Sequence, residues 1–408
     1  MREMKDSGVE WIGKIPKDWG IIPVKFCFSI TNGSDPRSDE GDTPVYGSGK
    51  GHFKTCKEFK KGPTVLLGRK GTVNIPQWIE GNYWNVDTAF DVHAKGNYLL
   101  KLFFYAASCF DYDNYSTQTA LPSMTQSNYL NFRIPFMNVE EQRQIVDFLD
   151  QKCSEIDALT ADIQTQIETL EEYKKSVITE AVTKGLDPNV EMKDSGIQWV
   201  DKIPASWKVN KIKYISNSIF KGQGIKKEEV DINGDIQCVR YGEIYSKYSN
   251  SFNQCFSFIN SNNLSRRQPF IKNGDIIFAI TGELIEEIGK NILYTGELDC
   301  AVGGDIVVVR INEDRRFVNY ALNSSYCQNQ KSCNKFKLKV VHISAFEIGN
   351  ILVLIPPLSI QKAISDFLDL KCAEIDQTIS EKQQQLETLA EYKKSLIYEY
   401  VTGKKEVA

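Results

Sequence analysis

The residues that could do chemistry are few and scattered. Three histidines occur, His52, His93 and His342, and ten cysteines, none of them in C-x-x-C spacing. A zinc site needs paired ligands and a disulfide framework needs an oxidising compartment, so free thiols, no metal and a reduced, cytoplasmic setting are expected. No G-x-x-x-x-G-K-[ST] run is present to cradle a nucleoside triphosphate. Nor is there an Asn/Asp-Pro-Pro-Tyr/Phe, the amino-methyltransferase signature; the one Pro-Pro, Pro356-Pro357, is apolar on both sides. Gly47-Ser48-Gly49-Lys50-Gly51 reads as a hairpin tip rather than a phosphate loop. Glu191-Met192-Lys193 and Glu3-Met4-Lys5 match the E-x-K of nucleases, but no strand pair of carboxylates accompanies them. His342, in Val-Val-His-Ile-Ser, has no obvious carboxylate partner and reads as a buried or turn histidine rather than a general base. Such a chain binds something and does not transform it.

What remains is the chemistry of contact. Lys50, Lys54, Lys57, Lys60, Lys61, Arg69 and Lys70 form one basic cluster. Lys331, Lys335, Lys337 and Lys339 are expected to alternate with apolar residues, as they would along one strand face. Lysines of this kind contact phosphates, and nearby Arg, Asn, Gln or Ser read base edges. The candidate DNA-contacting residues are therefore Lys50, Lys54, Arg69, Lys70, Gln118 and Ser123 in the first half of the chain. In the second half they are Arg240, Arg266, Arg267, Lys335, Lys337 and Lys339. Charge separates along the chain: residues 21–137 carry 12 Lys+Arg against 10 Asp+Glu, and 209–356 carry 18 against 15. Residues 138–187 carry 5 against 12, and 357–408 carry 7 against 9. Mildly basic blocks alternate with acidic ones in a chain of net charge −4.

The elements that must position these side chains come from a duplication. Residues 4–20, MKDSGVEWIGKIPKDWG, return at 192–208 as MKDSGIQWVDKIPASWK, with 10 of 17 positions identical. Residues 142–183 return at 361–402 with 25 of 42 identical. The first offset is 188 and the second 219, so the intervening block is 31 residues longer in the second copy. These later repeats read as long helices. Leu149, Ile156, Ile163, Leu170 and Val177 recur every seven residues, with Cys153, Thr160, Ile167, Lys174 and Ala181 four on from each. The second copy gives Leu368, Ile375, Ile379, Leu386, Leu389 and Leu396, with Lys382 and Lys393 interrupting. A narrow stripe with this 3.5-residue period is a coiled-coil seam, and each helix is roughly 65 Å long at about 1.5 Å per residue. Gly185 and Pro188 stop the first helix. The blocks between are rich in Gly, Asn, Ser and aromatics. Apolar runs at 64–68, 275–281 and 305–311 read as strands, and 98–108 as a helix. The expected fold class is mixed α/β. The expected domains are 1–137, a helix 138–187, a second domain 188–356 and a second helix 357–408. The two blocks show no obvious alignment with each other.

Taken together, the opening phrase MKDSGVEWIGKIP with its copy, IPFMNVEEQRQIVDFLD with IPPLSIQKAISDFLD, and ETLEEYKKSVITEAVTKG with ETLAEYKKSLIYEYVTGK resemble the specificity subunit of type I restriction–modification systems. The resemblance runs essentially end to end. It implies two target-recognition domains, each reading one half of a bipartite asymmetric DNA site, on an antiparallel coiled coil that sets the spacer. It implies two methyltransferase subunits and two restriction (translocase–nuclease) subunits as partners. S-adenosylmethionine, ATP and magnesium would serve those partners, with no cofactor on this chain. One departure is Ser359-Ile360 where the first helix opens with Glu140-Glu141, which weakens a charge–dipole match by about a few tenths of a kcal/mol.

The physics beside the resemblance agrees. Antiparallel helices would relate the blocks by a pseudo-two-fold, and DNA has local two-folds of its own. Diverged blocks on a duplicated frame fit the reading of two different half-sites. They would equally fit a non-catalytic two-module scaffold that binds proteins. A self-contained restriction or modification enzyme is disfavoured by the missing motifs.

Overall fold

The computed structural model describes residues 2–117, 121–333, 335–336 and 340–407. The long helices run Val139–Lys184 and Leu358–Val401. Every expected seam position from Leu149 to Val177 is buried or half-buried, while Leu159 and Tyr173 on the flanks are about half exposed. The seam from Leu368 to Leu396 behaves alike. Lys174 and Lys393, one in each seam, do not break the pattern, because the stem lies along the seam and the ammonium finds an acid across it. Lys174 meets Asp376 and Lys393 meets Asp157, both at 2.6 Å. The offset of 219 carries Lys174 onto Lys393 and Asp157 onto Asp376, so one ion pair is made twice.

The chain divides into two units, Met1–Thr165 with Lys382–Ala408, and Gln166–Glu381. Each holds one α/β module and half of each long helix, paired antiparallel. In the first unit Phe148 lies against Tyr400 with ring centroids 4.3 Å apart, and Asp157 against Lys393.

The two modules share a strand order that their sequences conceal. In the first, one sheet runs Phe28–Asn32, Ala89–Ala94, Thr64–Gly68, Gln77–Ile79. Its second sheet runs His52–Cys56, Thr43–Tyr46, Asn82–Asn85, Lys60–Lys61, with the central pair parallel. In the second module the corresponding order is Ser216–Lys221, Ile306–Ile311, Asp275–Ala279, Asn291–Tyr294, extended by Ser251–Phe252. The other sheet runs Ser257–Ile259, Ile236–Val239, Cys300–Val302, Phe270–Ile271, again with a parallel central pair. The central strands, such as Thr64–Gly68 and Asp275–Ala279, are buried along their whole length, which is why they read as continuous apolar runs.

Each module enters and leaves its unit through neighbouring strands. Gly20–Pro23 pairs with Arg133–Phe136, and Lys208–Lys211 with Leu352–Ile355, both antiparallel. Before them stand the duplicated lead-in hairpins, Met4–Asp6 with Lys14–Pro16 and Met192–Ile197 with Val200–Pro204. Each hairpin delivers a buried tryptophan, Trp19 or Trp207, to the end of a long helix. The closeness demands glycine: Gly403, at φ +68°, leaves a Cβ only 2.9 Å from the Trp19 ring. Gly185, at φ +81°, abuts Trp207 in the same way.

Replacing Trp19 by alanine should cost about 3–5 kcal/mol, because it empties a fully packed site between hairpin and helix end. Replacing the part-exposed Trp199 should stay within about 0.5 kcal/mol. Denaturant unfolding of the two variants measures both; equal losses would show that Trp19 is no keystone.

Candidate nucleic-acid interface

Three of the predicted contact residues converge on one edge of the first module. The strand Thr64–Gly68 runs on into Arg69 and Lys70, and Lys70 pairs antiparallel with Ser123. Met124 N–H donates to the Arg69 carbonyl at 2.9 Å and Gly71 N–H to that of Pro122 at 2.9 Å, which zips the two loops together. Arg69, Lys70 and Ser123 line a shallow groove of about 310 Å³ with Asn32, Phe90 and Gln126. Arg69 is steered by Asp87, whose carbonyl accepts from Nη1 at 3.2 Å, and Lys70 is free in solvent. Lys50 is exposed on the turn between Thr43–Tyr46 and His52–Cys56, as expected of a hairpin tip. Gln77 pins that turn, accepting from Gly51 N–H at 3.1 Å and donating to the Gly47 carbonyl at 2.8 Å.

Other predicted residues are elsewhere or engaged. Lys54 is ion-paired to Asp39 at 2.7 Å, which raises the ammonium pKa. Lys60, from the same basic run, points inward: Nζ donates to Asn85 at 2.7 Å and to the fully buried Asp91 at 3.2 Å. Asp91 also accepts from Thr64 at 2.6 Å and from Tyr83 at 2.8 Å. Burial, then that carboxylate, push the Tyr83 phenol well above its ordinary range. In the second module Arg240 sits at the start of the helix Tyr241–Ser246, 3.8 Å from Glu243. It lines a separate groove of about 610 Å³ with Lys227, Lys247 and Gly304. Arg266 and Arg267 are exposed in a turn before Phe270–Ile271.

The expectation that Lys331 to Lys339 alternate on one strand fails. Lys331 lies in the helix Ser325–Ser332 and is wholly buried, donating to Asn291 Oδ1 and to the Leu322 carbonyl at 2.8 Å each. Lys335 follows the helix and is tied to Glu347 at 2.6 Å. Gln118, Lys337 and Lys339 lie outside the described residues. His342 is neither buried nor in a turn: it is exposed on the short strand Val341–His342.

The residues that hold each module on its helices escaped the sequence reading. Gln142, buried near the start of the first long helix, accepts from Leu99 N–H at 2.7 Å and donates to the Met137 carbonyl at 3.0 Å. Gln361 accepts from Asp314 N–H at 2.9 Å and donates to the Pro356 carbonyl at 2.8 Å. Tyr105 donates to Asp150 at 2.5 Å, and Tyr320 to Asp369 at 2.8 Å. Burial and these carboxylates push both phenols well above their ordinary range. Lys101 and Arg316 reach the same two aspartates, at 3.4 and 2.6 Å. A basic residue followed four later by Tyr-Ala, at 101–106 and 316–321, was the available signal. Among the described residues no group of three or more His, Cys, Asp or Glu could hold a metal ion. No helix among them is long and apolar enough to cross a membrane.

A family model described as the type I restriction modification DNA specificity domain matches residues 16–169 and again 204–388. The chain belongs to this family. The two matches cover both modules and most of both long helices. The type I restriction enzyme MjaVIII specificity subunit of Methanocaldococcus jannaschii is 29% identical over 292 residues, 70% of this chain and 65% of that protein. A putative MjaX specificity subunit of the same organism is 24% identical over 69% of this chain and 61% of its own length. The chain thus spans just under two thirds of the curated relatives it matches. A solved chain from work on complex assembly and conformational transition of the type I R-M system shares the fold. It has a TM-score of 0.69 and 14% identity, and the match covers 96% of this chain and 99% of that one.

Burial lowers the Lys331 ammonium to about 8, so the unfolded chain binds the extra proton between about pH 8 and 10. Unfolding free energy should therefore rise with pH across that window and be lowest below it. The total is on the order of 3 kcal/mol for a shift of this size. Lys331→Met should flatten that rise in denaturant titrations at several pH values. An unchanged slope would mean that Lys331 is not buried as a cation.

Proposed function

We propose that this chain is the DNA-reading subunit of a type I restriction–modification complex. Each α/β module reads one half of a bipartite, asymmetric site, and the long helices fix the spacer and dock methyltransferase subunits. The chain itself is non-catalytic. Two methyltransferase subunits and two restriction subunits are its partners, and S-adenosylmethionine, ATP and magnesium serve them. The observation that carries this reading is one fold used twice in matched sockets, built from sequences that do not align. Arg69, Lys70 and Ser123 supply, on one edge, the cations that hold phosphates and the hydroxyl that meets base edges. The family match to the DNA specificity domain over both modules supports the same reading.

Matched sockets make the modules exchangeable. Replacing residues 21–137 with the corresponding block of a related subunit should change one half of the methylated sequence and leave the other half intact. The measurement is methylation by the complex assembled with its methyltransferase subunits, on substrates varied at each position. If both halves change together, the modules shape one joint site and the proposal of separate readers falls.

A further inference from the structure

The offset of 219 that relates the long helices continues backward into the modules. Thr125 and Ser344 fall on each other, and each caps the next short helix, accepting from Asn128 N–H and from Glu347 N–H. Met124 and Ile343 coincide, and both are buried. On this register Ser123 falls on His342. Their partner strands correspond as well: Lys70 pairs with Ser123, and Thr281 pairs with His342. The flanking backbone bonds match too, Met124 N–H to the Arg69 carbonyl at 2.9 Å and Ile343 N–H to the Ile280 carbonyl at 3.0 Å.

We infer that Thr281 and His342 form a base-reading pair of the second module, standing where Lys70 and Ser123 stand in the first. This rests on the DNA-reading function proposed above. His342 is exposed, and its Nδ1 lies 3.0 Å from Thr281 Oγ1. The threonine hydroxyl holds one side of the ring and leaves Nε2 open to a ligand. A neutral imidazole bonded in this way offers one donor or one acceptor at Nε2, set by the hydroxyl's orientation. That suits a single contact to a base edge, such as a purine N7. The loop that follows Thr281 is acidic. Glu283, Glu286 and Glu287 are all exposed on it and would repel a phosphate. Lys290, at the end of that loop, is turned inward to the carbonyls of Tyr245 and Tyr248. The first module thus offers an ammonium and a hydroxyl at this position, and the second an imidazole held by a threonine at the head of an acidic loop. Unlike half-sites follow from unlike chemistry at one equivalent place.

The test uses the full chain assembled with its methyltransferase subunits and a DNA library varied at every position of both half-sites. His342→Ala should lose about ten-fold discrimination at one base pair of the second half-site, within the range of one good base contact. The first half-site should be read as before. Thr281→Val, which keeps the shape but frees the ring, should blur the same base pair less. Wild-type discrimination at every position in both variants would overturn the inference. So would a loss shared equally by the two half-sites, since that reports damage to the fold. If the wild-type complex shows no sequence preference at all, the proposed function fails instead, and the two failures are told apart.

Discussion

One buried amide near the start of each long helix holds the architecture together. Gln142 and Gln361 each bond a backbone N–H of a module and a carbonyl of their own strand-to-helix turn. A primary amide satisfies donor and acceptor at once, and no apolar residue could do so. Without it, Leu99 or Asp314 would keep an unpaired N–H at a partly buried helix start, at a cost of about 1 kcal/mol. The aspartates about two helical turns further on, Asp150 and Asp369, add a second clamp to the same short helices, Leu100–Ala107 and Arg315–Leu322. Frame and module are therefore joined at fixed points that do not involve the outer loops.

That separation gives the outer loops freedom to vary. In each module the socket residues, the lead-in tryptophan and the paired entry and exit strands face the helices. The edge at 69–71 and 122–124, and its counterpart at 280–282 and 341–343, belongs to neither clamp. Changes there alter which groups meet a ligand without unpairing a buried backbone group. The lysines show the same division. Lys174, Lys393, Lys60 and Lys331 are committed to acids, carbonyls or amides of the fold, and Lys50 and Lys70 remain in solvent. The acidic helices and mildly basic modules are therefore an average over two classes of lysine.

Much of the frame was legible in the sequence because its signals are periodic or repeated. The heptads from Leu149 and Leu368 predicted which face is covered, and the continuous runs at 64–68 and 305–311 marked buried strands. The modules were less legible. Their strands are two to six residues long, so a shared strand order leaves little in the way of matched letters. Lys331 to Lys339 shows how near-alternation misleads: four of the five odd-numbered positions are lysines, but Lys331 belongs to a helix that ends at Ser332. His342 was misjudged because its partner, Thr281, lies 61 residues away and no local pattern connects them. The equivalence of Ser123 and His342 was present in the letters as an unchanged offset. It became visible only when strand pairing and helix caps aligned the sequences around it.

The proposed function places two unlike readers on one frame. It is tested most directly by sequencing the methylated bases in DNA from cells that carry this chain and its methyltransferase subunits. The expected result is a motif of two different short half-sites separated by a non-specific spacer of fixed length. A contiguous motif, or a palindrome with two identical halves, would contradict it.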